Sequence, residues 1–277
     1  GKPAEICYCH TPPRYLYGYD TSGQWKKYKL VRIYAAIAAH FMRLYDFKRA
    51  QKVTQFVANS HEVAARIQKF YRRDSVIIHP PVDLPSGHPG LSRISKATFR
   101  DSGVVRPGWT PQNDSYFLTG GRLEAAKNFD LIIRACNELN VPLKIFGQGG
   151  EEEYLKGMSG NSVEFVESIS EEEKFRLMAG CKAFIVAAKD EDFGITPVEA
   201  MACGRPVVAY RGGGYLETVF EGKTGLFFDE LTTESLVAAL KMLNRTKIVP
   251  GDCVKWAKGF GKDSFIKKIK FLVEKYA

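Results

Sequence analysis

Four short stretches of this 277-residue chain combine glycine with charged side chains in a pattern that suits an anionic, hydroxyl-bearing ligand. The first is Gly120-Gly121-Arg122-Leu123-Glu124-Ala125-Ala126-Lys127-Asn128. Its two glycines let the backbone turn tightly and come close to a ligand. Arg122 and Lys127 then bring two cations to the start of a following helix, a ready place for a diphosphate, although an ordinary charged surface loop would look the same. The second is Phe146-Gly147-Gln148-Gly149-Gly150, whose glycines permit close approach of a base or ribose. The third is Glu191-Asp192-Phe193-Gly194-Ile195-Thr196-Pro197-Val198-Glu199, two glutamates with seven residues and a turn between them. Carboxylates are natural acceptors for the paired hydroxyls of a sugar or ribose, and this spacing allows both to face one ligand. Pro197 suits the first position of a helix, which makes Thr196 the N-cap. Glu199 then falls where a capping box wants its glutamate, a purely structural alternative for that side chain. The fourth stretch is Arg211-Gly212-Gly213-Gly214-Tyr215-Leu216-Glu217. Its three glycines would leave backbone N–H groups open to an anion, or would simply make a flexible connection.

Something must hold these loops together, and the hydrophobic pattern supplies it. From about Pro111 onward, apolar strands are expected at Tyr116–Thr119, Leu143–Phe146, Val163–Val166, Ala183–Ala187, Pro206–Ala209 and Leu226–Phe228. Helical patterns lie between and after them, at Phe129–Leu139, Glu151–Lys156, Glu171–Ala179, Pro197–Cys203, Tyr215–Phe220 and Glu234–Leu243. Continuous apolar strands alternating with helices imply a parallel sheet covered on both faces. Ligands on such sheets bind beyond the carboxyl ends of the strands, which is where all four stretches fall.

The first third is less regular. A strand at Ile6–Cys9 leads into His10-Thr11-Pro12-Pro13-Arg14-Tyr15-Leu16-Tyr17-Gly18, then a long amphipathic helix over Tyr28–Gln51. A second strand, Thr54–Ala58, feeds a helix from His61 to Tyr71 with Ser60 as its N-cap. A third strand, Ser75–Ile78, stops at Pro80-Pro81. Three short strands make an incomplete sheet, so this region reads as the rear of a domain whose front is absent. Residues 84–113 are rich in Gly, Pro and Ser and read as a linker. The expected organisation is a partial first domain over 1–83, the linker, a ligand-binding domain over 114–250, and C-terminal helices over 251–277 that pack back on the first domain.

Composition narrows the function classes. The 45% hydrophobic and 26% charged content is that of a soluble globular protein, and no apolar run reaches the ~18–20 residues of a membrane span. The chain opens on a strand-like run without a signal peptide, so a cytosolic location is the expectation. The six cysteines, Cys7, Cys9, Cys136, Cys181, Cys203 and Cys253, lack metal-ligand spacing and read as reduced core residues. Charge is uneven: residues 1–100 carry 17 Lys and Arg against 6 Asp and Glu, the remainder 23 against 25. A basic first third could meet nucleic acid or anionic lipid, or be a solvated surface. No nucleic-acid-binding motif is present, and the phosphate-type loops lie elsewhere. Tyr28, Tyr34, Phe41, Tyr45 and Phe47, set among Lys and Arg in residues 26–52, suit a helix lying on an anionic membrane surface at the inner face, or one packed on a sheet.

The runs GGRLEAAKN, FGQGG and EDFGITPVEAMACGRPVVAYRGGGYLETV, in that order and spacing, resemble the donor domain of the group 1 (family 4) retaining glycosyltransferases. HTPPRYLYG, VANSHEVAARI and IIHPPVD resemble that family's acceptor domain, particularly its mannosyltransferase-like members. The resemblance implies an α/β protein of the GT-B type, with two Rossmann-like doubly wound parallel sheets facing a cleft, the first one incomplete. It implies transfer of a hexose, mannose before glucose, from a nucleoside diphosphate sugar to a glycan or lipid-linked acceptor hydroxyl with retained configuration, as in polysaccharide biosynthesis. Arg122 and Lys127 would hold the diphosphate with backbone amides around Gly194, Ile195 and Thr196. Glu199 would take the ribose hydroxyls and Glu191 those of the sugar. Gly121, Gly147, Gly149 and Ile169 would line the nucleotide pocket, and His10, with Arg14 beside it, would face the donor sugar. No metal or other cofactor is required, because two cations and a helix N-terminus neutralise the leaving diphosphate. The family's first strand and Gly-rich loop have no counterpart here. A polypeptide that supplies them, or a non-catalytic nucleotide-sugar binding module, is the alternative to a self-sufficient transferase.

Overall fold

The computed structural model describes residues 3–19, 29–84, 116–167 and 169–276. The expected linker, 84–113, falls almost wholly outside them, as does Tyr28. The chain divides into two compact units: the segment up to Pro80 together with the segment from Phe265 onward, and Pro81–Ser264.

The first unit contains β1 (Ile6–Cys9), a short 3-10 turn at Arg14–Leu16, α1 (Lys29–Ala50), β2 (Gln55–Ala58), α2 (His61–Tyr71) and β3 (Ser75–Ile77). The three strands are parallel in the order β1-β2-β3, with Cys7 opposite Phe56 and Val57 opposite Val76. Alternation along β2 builds two cores. Phe56 and Ala58 pack with Val63, Ile67 and Tyr71 of α2, and Cys7 and Cys9, neither in a disulfide, join them from β1. On the other face Val57 meets Ile78 and Leu272, flanked by Tyr8, Phe265 and Ile269, so the C-terminal helix (Lys262–Glu274) covers that side. The Ser60 hydroxyl accepts a hydrogen bond from the Val63 N–H at 3.0 Å, the N-cap expected from the sequence. Helix α1 is tied inward where Asp46 accepts from the Tyr17 hydroxyl and Arg43 donates to the Leu16 carbonyl. Its Tyr34, Ile37, Phe41 and Tyr45 side chains are exposed.

In the second unit strands and helices alternate: β4 (Phe117–Gly120), α3 (Phe129–Leu139), β5 (Leu143–Phe146), α4 (Glu152–Met158), β6 (Val163–Val166), α5 (Glu171–Gly180), β7 (Phe184–Val186), α6 (Ile195–Ala202), β8 (Val207–Tyr210), α7 (Tyr215–Thr218), β9 (Gly225–Phe228), α8 (Thr233–Leu243) and α9 (Pro250–Lys258). The six strands are all parallel, in the order β6-β5-β4-β7-β8-β9. Successive strand residues point to opposite faces, and each face is covered. Leu118, Phe184 and Val207 look toward Phe175, Val198 and Met201 on one side. Phe117, Ile185 and Val208 look toward Ile132, Leu236 and Leu240 on the other. The strand order reverses between β4 and β7. Crossover helices leave this sheet in opposite directions there, so a crevice opens beyond the carboxyl ends of the two strands.

Candidate functional site

The loops after β4 and β7 flank that crevice, and side chains tie one to the other. Asn128 donates to the Ala187 carbonyl at 2.7 Å, and Thr119, buried on β4, donates to the Ile185 carbonyl at 2.8 Å. Lys127, at the end of a 3-10 turn over Ala125–Lys127, reaches across to Glu191 with Nζ 2.5 Å from Oε2. Tyr215, at the start of α7, donates its hydroxyl to the same oxygen at 3.2 Å. Three of the four glycine-containing stretches therefore meet at one carboxylate. Burial, and the Glu191 charge beside it, hold the Tyr215 phenol far above its ordinary pKa, so it remains a donor. Arg122 stands apart from this cluster, 76% exposed and 3.6 Å from Glu124. Its guanidinium is largely open to solvent in the loop after β4.

Helix α6 starts at Ile195 with Gly194 as its N-cap at φ 91°, and no side chain caps it. This corrects the sequence reading. Thr196 is the second helical residue, Pro197 is the third, and no capping box forms, because Gly194 alone tolerates the left-handed turn that launches the helix. The Ile195 and Thr196 N–H groups lie in the first turn, which has no intrahelical acceptor, at the positive end of the helix dipole, and Gly194 has no side chain to cap them. The capping box of this unit sits on α5 instead, between Ser170 and Glu173, directly after half-buried Ile169.

Glu199, freed from capping, lies inside α6 and pairs with Lys174 of α5 at 2.9 Å, the side chains 10% and 14% exposed. Glu171 takes a second Lys174 contact at 2.8 Å. Burial raises the Glu199 pKa, Lys174 opposes that, and the nearby Glu171 and Asp83 charges add to the rise, leaving it above the usual carboxylate value. Burial pulls the Lys174 ammonium down, but Glu171 and Glu199 outweigh it and the net displacement is upward. The two directions are compatible: desolvation dominates at the carboxylate, the double ion pair at the amine.

The glycines serve packing as much as ligand approach. A Cβ on Gly147, which sits at φ 116°, would lie 1.8 Å from the Gly121 carbonyl oxygen, and one on Gly149 would lie 2.2 Å from that of Leu123. The loops after β4 and β5 thus lie backbone against backbone, held by hydrogen bonds from Gly121 to Phe146 and from Leu123 to Gln148. The Gly212–Gly214 run is not an open anion nest. The Gly212 N–H donates to Tyr210 and the Gly214 N–H to the Glu191 carbonyl at 2.8 Å. A Cβ at Gly214 would meet Phe193 Cα at 2.4 Å.

His10 and Arg14 belong to the first unit. His10 is exposed just after β1, its ring edge-on to Tyr8 at 5.2 Å. Behind it, buried Arg66 donates to the Thr11 hydroxyl at 3.1 Å and stacks on Tyr19, which fixes the loop that carries the histidine. Sequence reasoning missed Arg66, Lys174 and Tyr215. Tyr215 alone had a signal, a hydroxyl directly after the glycine run; the partners that tie Arg66 and Lys174 to these loops, Thr11 and Glu199, are distant in the chain.

Gly214→Ala is expected to destabilise the second unit by about 1–3 kcal/mol through overpacking against Phe193. Gly150→Ala, where an added Cβ meets nothing within 4 Å, is expected to stay within about 0.5 kcal/mol. Urea denaturation of the two variants checks the contrast, and equal stabilities would show that the loop tolerates a side chain there.

Comparison with known proteins places the chain in a family and a fold class. The profile of the family "Glycosyl transferases group 1" matches residues 106–258, more than half of the chain. Alpha-1,3/1,6-mannosyltransferase ALG2 of Dictyostelium discoideum is 42% identical over 84 residues, 30% of this chain and 20% of that protein. The GDP-mannose-dependent alpha-(1-6)-phosphatidylinositol monomannoside mannosyltransferase of Mycolicibacterium smegmatis is 36% identical over 136 residues, 43% of this chain and 36% of its own. The chain thus spans well under half the length of either relative. The crystal structure of Anabaena HepE in complex with UDP and glucose superposes with a TM-score of 0.68 at 20% identity, covering 98% of this chain and 71% of that one. The two parallel sheets are thus of the GT-B glycosyltransferase class, and the chain belongs to the group 1 glycosyl transferases.

Proposed function

We propose that this chain carries the donor site of a retaining hexosyltransferase. The enzyme would move mannose, or alternatively glucose, from a nucleoside diphosphate sugar to a hydroxyl of a glycan or lipid-linked acceptor. The observation that carries the reading is the Lys127–Glu191 pair at the strand-order reversal, beside the uncapped start of α6 and the open cation Arg122. In this reading Arg122, Lys127 and the Ile195 and Thr196 amides take the diphosphate. Glu199 accepts the ribose hydroxyls, Glu191 accepts those of the sugar, and Gly121, Gly147, Gly149 and Ile169 line the nucleotide. His10 is assigned to the sugar from the first unit. Mannose is favoured by both mannosyltransferase relatives, and GDP by the GDP-mannose-dependent one. No residue is assigned as a covalent nucleophile. Catalysis would rest on positioning and on charge stabilisation of the leaving diphosphate, whose oxygen takes the acceptor proton on the same face, and this needs no metal.

The test is transfer of labelled hexose from GDP-mannose and UDP-glucose to oligosaccharide and lipid-linked acceptors. Arg122→Ala is expected to raise the barrier by about 3 kcal/mol, roughly a hundredfold in rate. A variant that turns over normally would remove the diphosphate role from Arg122. Nucleotide binding without transfer to any acceptor would support the other reading, a binding module or one subunit of a split transferase.

Glu199 generates a pH dependence of known sign. Only the ionised carboxylate accepts two ribose hydroxyls, and burial, with the Glu171 and Asp83 charges, holds its pKa above the ordinary value against the charge of Lys174. Nucleotide affinity is therefore expected to be full at neutral pH and to fall as the solution is made mildly acidic. Titration calorimetry across that range should show the slope in the parent and a weak, flat profile in Glu199→Gln. A flat parent profile would contradict the ribose assignment.

Helix α1 adds a peripheral partner to the proposal. Among the described residues no helix is long and apolar enough to cross a membrane. Exposed Tyr34, Ile37, Phe41 and Tyr45 beside Lys48 and Arg49 suit adsorption to an anionic surface within reach of a lipid-linked acceptor. Co-sedimentation with phosphatidylserine vesicles at low salt, lost at high salt, is the expected result. Absence of binding would assign this face to polypeptide instead.

A further inference from the structure

We infer that Tyr215 is a positioning residue for the donor sugar, orienting the Glu191 carboxylate so that one oxygen is engaged by the protein and the other is presented to a sugar hydroxyl. The inference rests on the reading of Glu191 as the sugar-facing acceptor and extends it to a residue outside that assignment. Both described hydrogen bonds to this carboxylate end on Oε2, one from Lys127 and one from the Tyr215 hydroxyl. Oε1 is left as the acceptor. An ammonium alone is a poor orienting group, since its three donors sit on a flexible stem and tolerate many carboxylate rotations. A phenol fully enclosed by the core is a fixed donor on a rigid ring, and Tyr215 is 2% exposed.

A second contact gives the same side chain a hold on the neighbouring turn. A Cβ added at Gly194 would stand 3.0 Å from Tyr215 Cδ1, so the ring lies flush against the left-handed residue that launches α6. The main chain repeats the clamp: Gly214, the residue before Tyr215, donates to the Glu191 carbonyl at 2.8 Å. One side chain thus touches both ends of the Glu191–Gly194 turn, its hydroxyl at the carboxylate and its ring at the helix start. The hydroxyl serves the sugar and the ring serves the turn, and substitution separates them.

The experiment is titration calorimetry of the whole protein with GDP, GDP-mannose, UDP and UDP-glucose, applied to Tyr215→Phe, Glu191→Gln and the double variant. Tyr215→Phe keeps the ring against Gly194 and removes only the donor. It should leave the affinity for the bare nucleoside diphosphate unchanged and weaken the sugar-bearing donor by about tenfold, the order expected for a hydrogen bond to a charged acceptor. Adding Tyr215→Phe to Glu191→Gln should cost nothing further, because both act through one carboxylate. A sugar-specific loss in Glu191→Gln with parental behaviour in Tyr215→Phe overturns the inference and leaves the Glu191 reading standing. Absence of any sugar-specific loss in Glu191→Gln overturns both. Equal weakening of nucleotide and nucleotide sugar in Tyr215→Phe would reduce the tyrosine to a packing role and likewise overturn the inference.

Discussion

The ion pair between Lys127 and Glu191 joins the loop after β4 to the loop after β7 at the one place in the sheet where neighbouring crossovers diverge. Elsewhere in a doubly wound sheet, helices close over the strand ends; here they leave a gap, and side chains must set its width. Glu191 is the more enclosed partner and the Lys127 side chain is over a third exposed, so solvent screens the pair and its main effect is to fix where the two loops meet. The Asn128 contact to Ala187 and the Tyr215 contact to Glu191 reinforce the same bridge with uncharged donors. A crevice held in this way is pre-organised: its carboxylate is oriented and partly desolvated before any ligand arrives.

Backbone packing imposes the second constraint. Gly147 against Gly121, Gly149 against Leu123 and Gly214 against Phe193 are approaches in which a β-carbon would overlap main-chain atoms. They bring the loops after β4, β5, β7 and β8 into one layer above the strand ends. The glycines that a sequence reading assigns to ligand contact are needed first to let the loops contact one another, and closeness to a ligand follows from that. Glu199 illustrates the cost of such a layer. It is buried deeply enough that its pKa rises despite a 2.9 Å ammonium partner, and it stays useful as an acceptor only because Lys174 limits the rise.

Much of this was legible in the sequence because parallel strands buried on both faces read as short continuous apolar runs. Leu143–Phe146 and Val163–Val166 coincide with the expected strands, and Phe129–Leu139 and His61–Tyr71 with the expected helices. The Ser60 cap was legible because capping is local, governed by residues three apart. The start of α6 was misread for the same reason. Local rules favoured Pro197 at the first helical position, but close packing of Tyr215 on Gly194 sets the turn, and that neighbour comes twenty-one residues later. The anion-binding alternative for Gly212–Gly214 is set aside by the fold, since the Gly212 and Gly214 amides donate to Tyr210 and Glu191. Lys174 left no trace in the sequence, its link to Glu199 being purely tertiary. Residue types and order thus marked out the loops that the fold brings together, and the pairing among them required the fold.

The most direct measurement for the account is a thermal-shift panel of this protein with GDP, UDP and ADP and their hexose conjugates. A ligand at a hundred times its dissociation constant adds about 2.7 kcal/mol, a rise of several degrees in Tm. The account predicts such a rise with one nucleotide and its sugar, and its disappearance in Glu199→Ala. Unchanged melting with every nucleotide, in a protein that is folded and cooperative, would contradict the claim that the crevice between β4 and β7 is a nucleotide-sugar site.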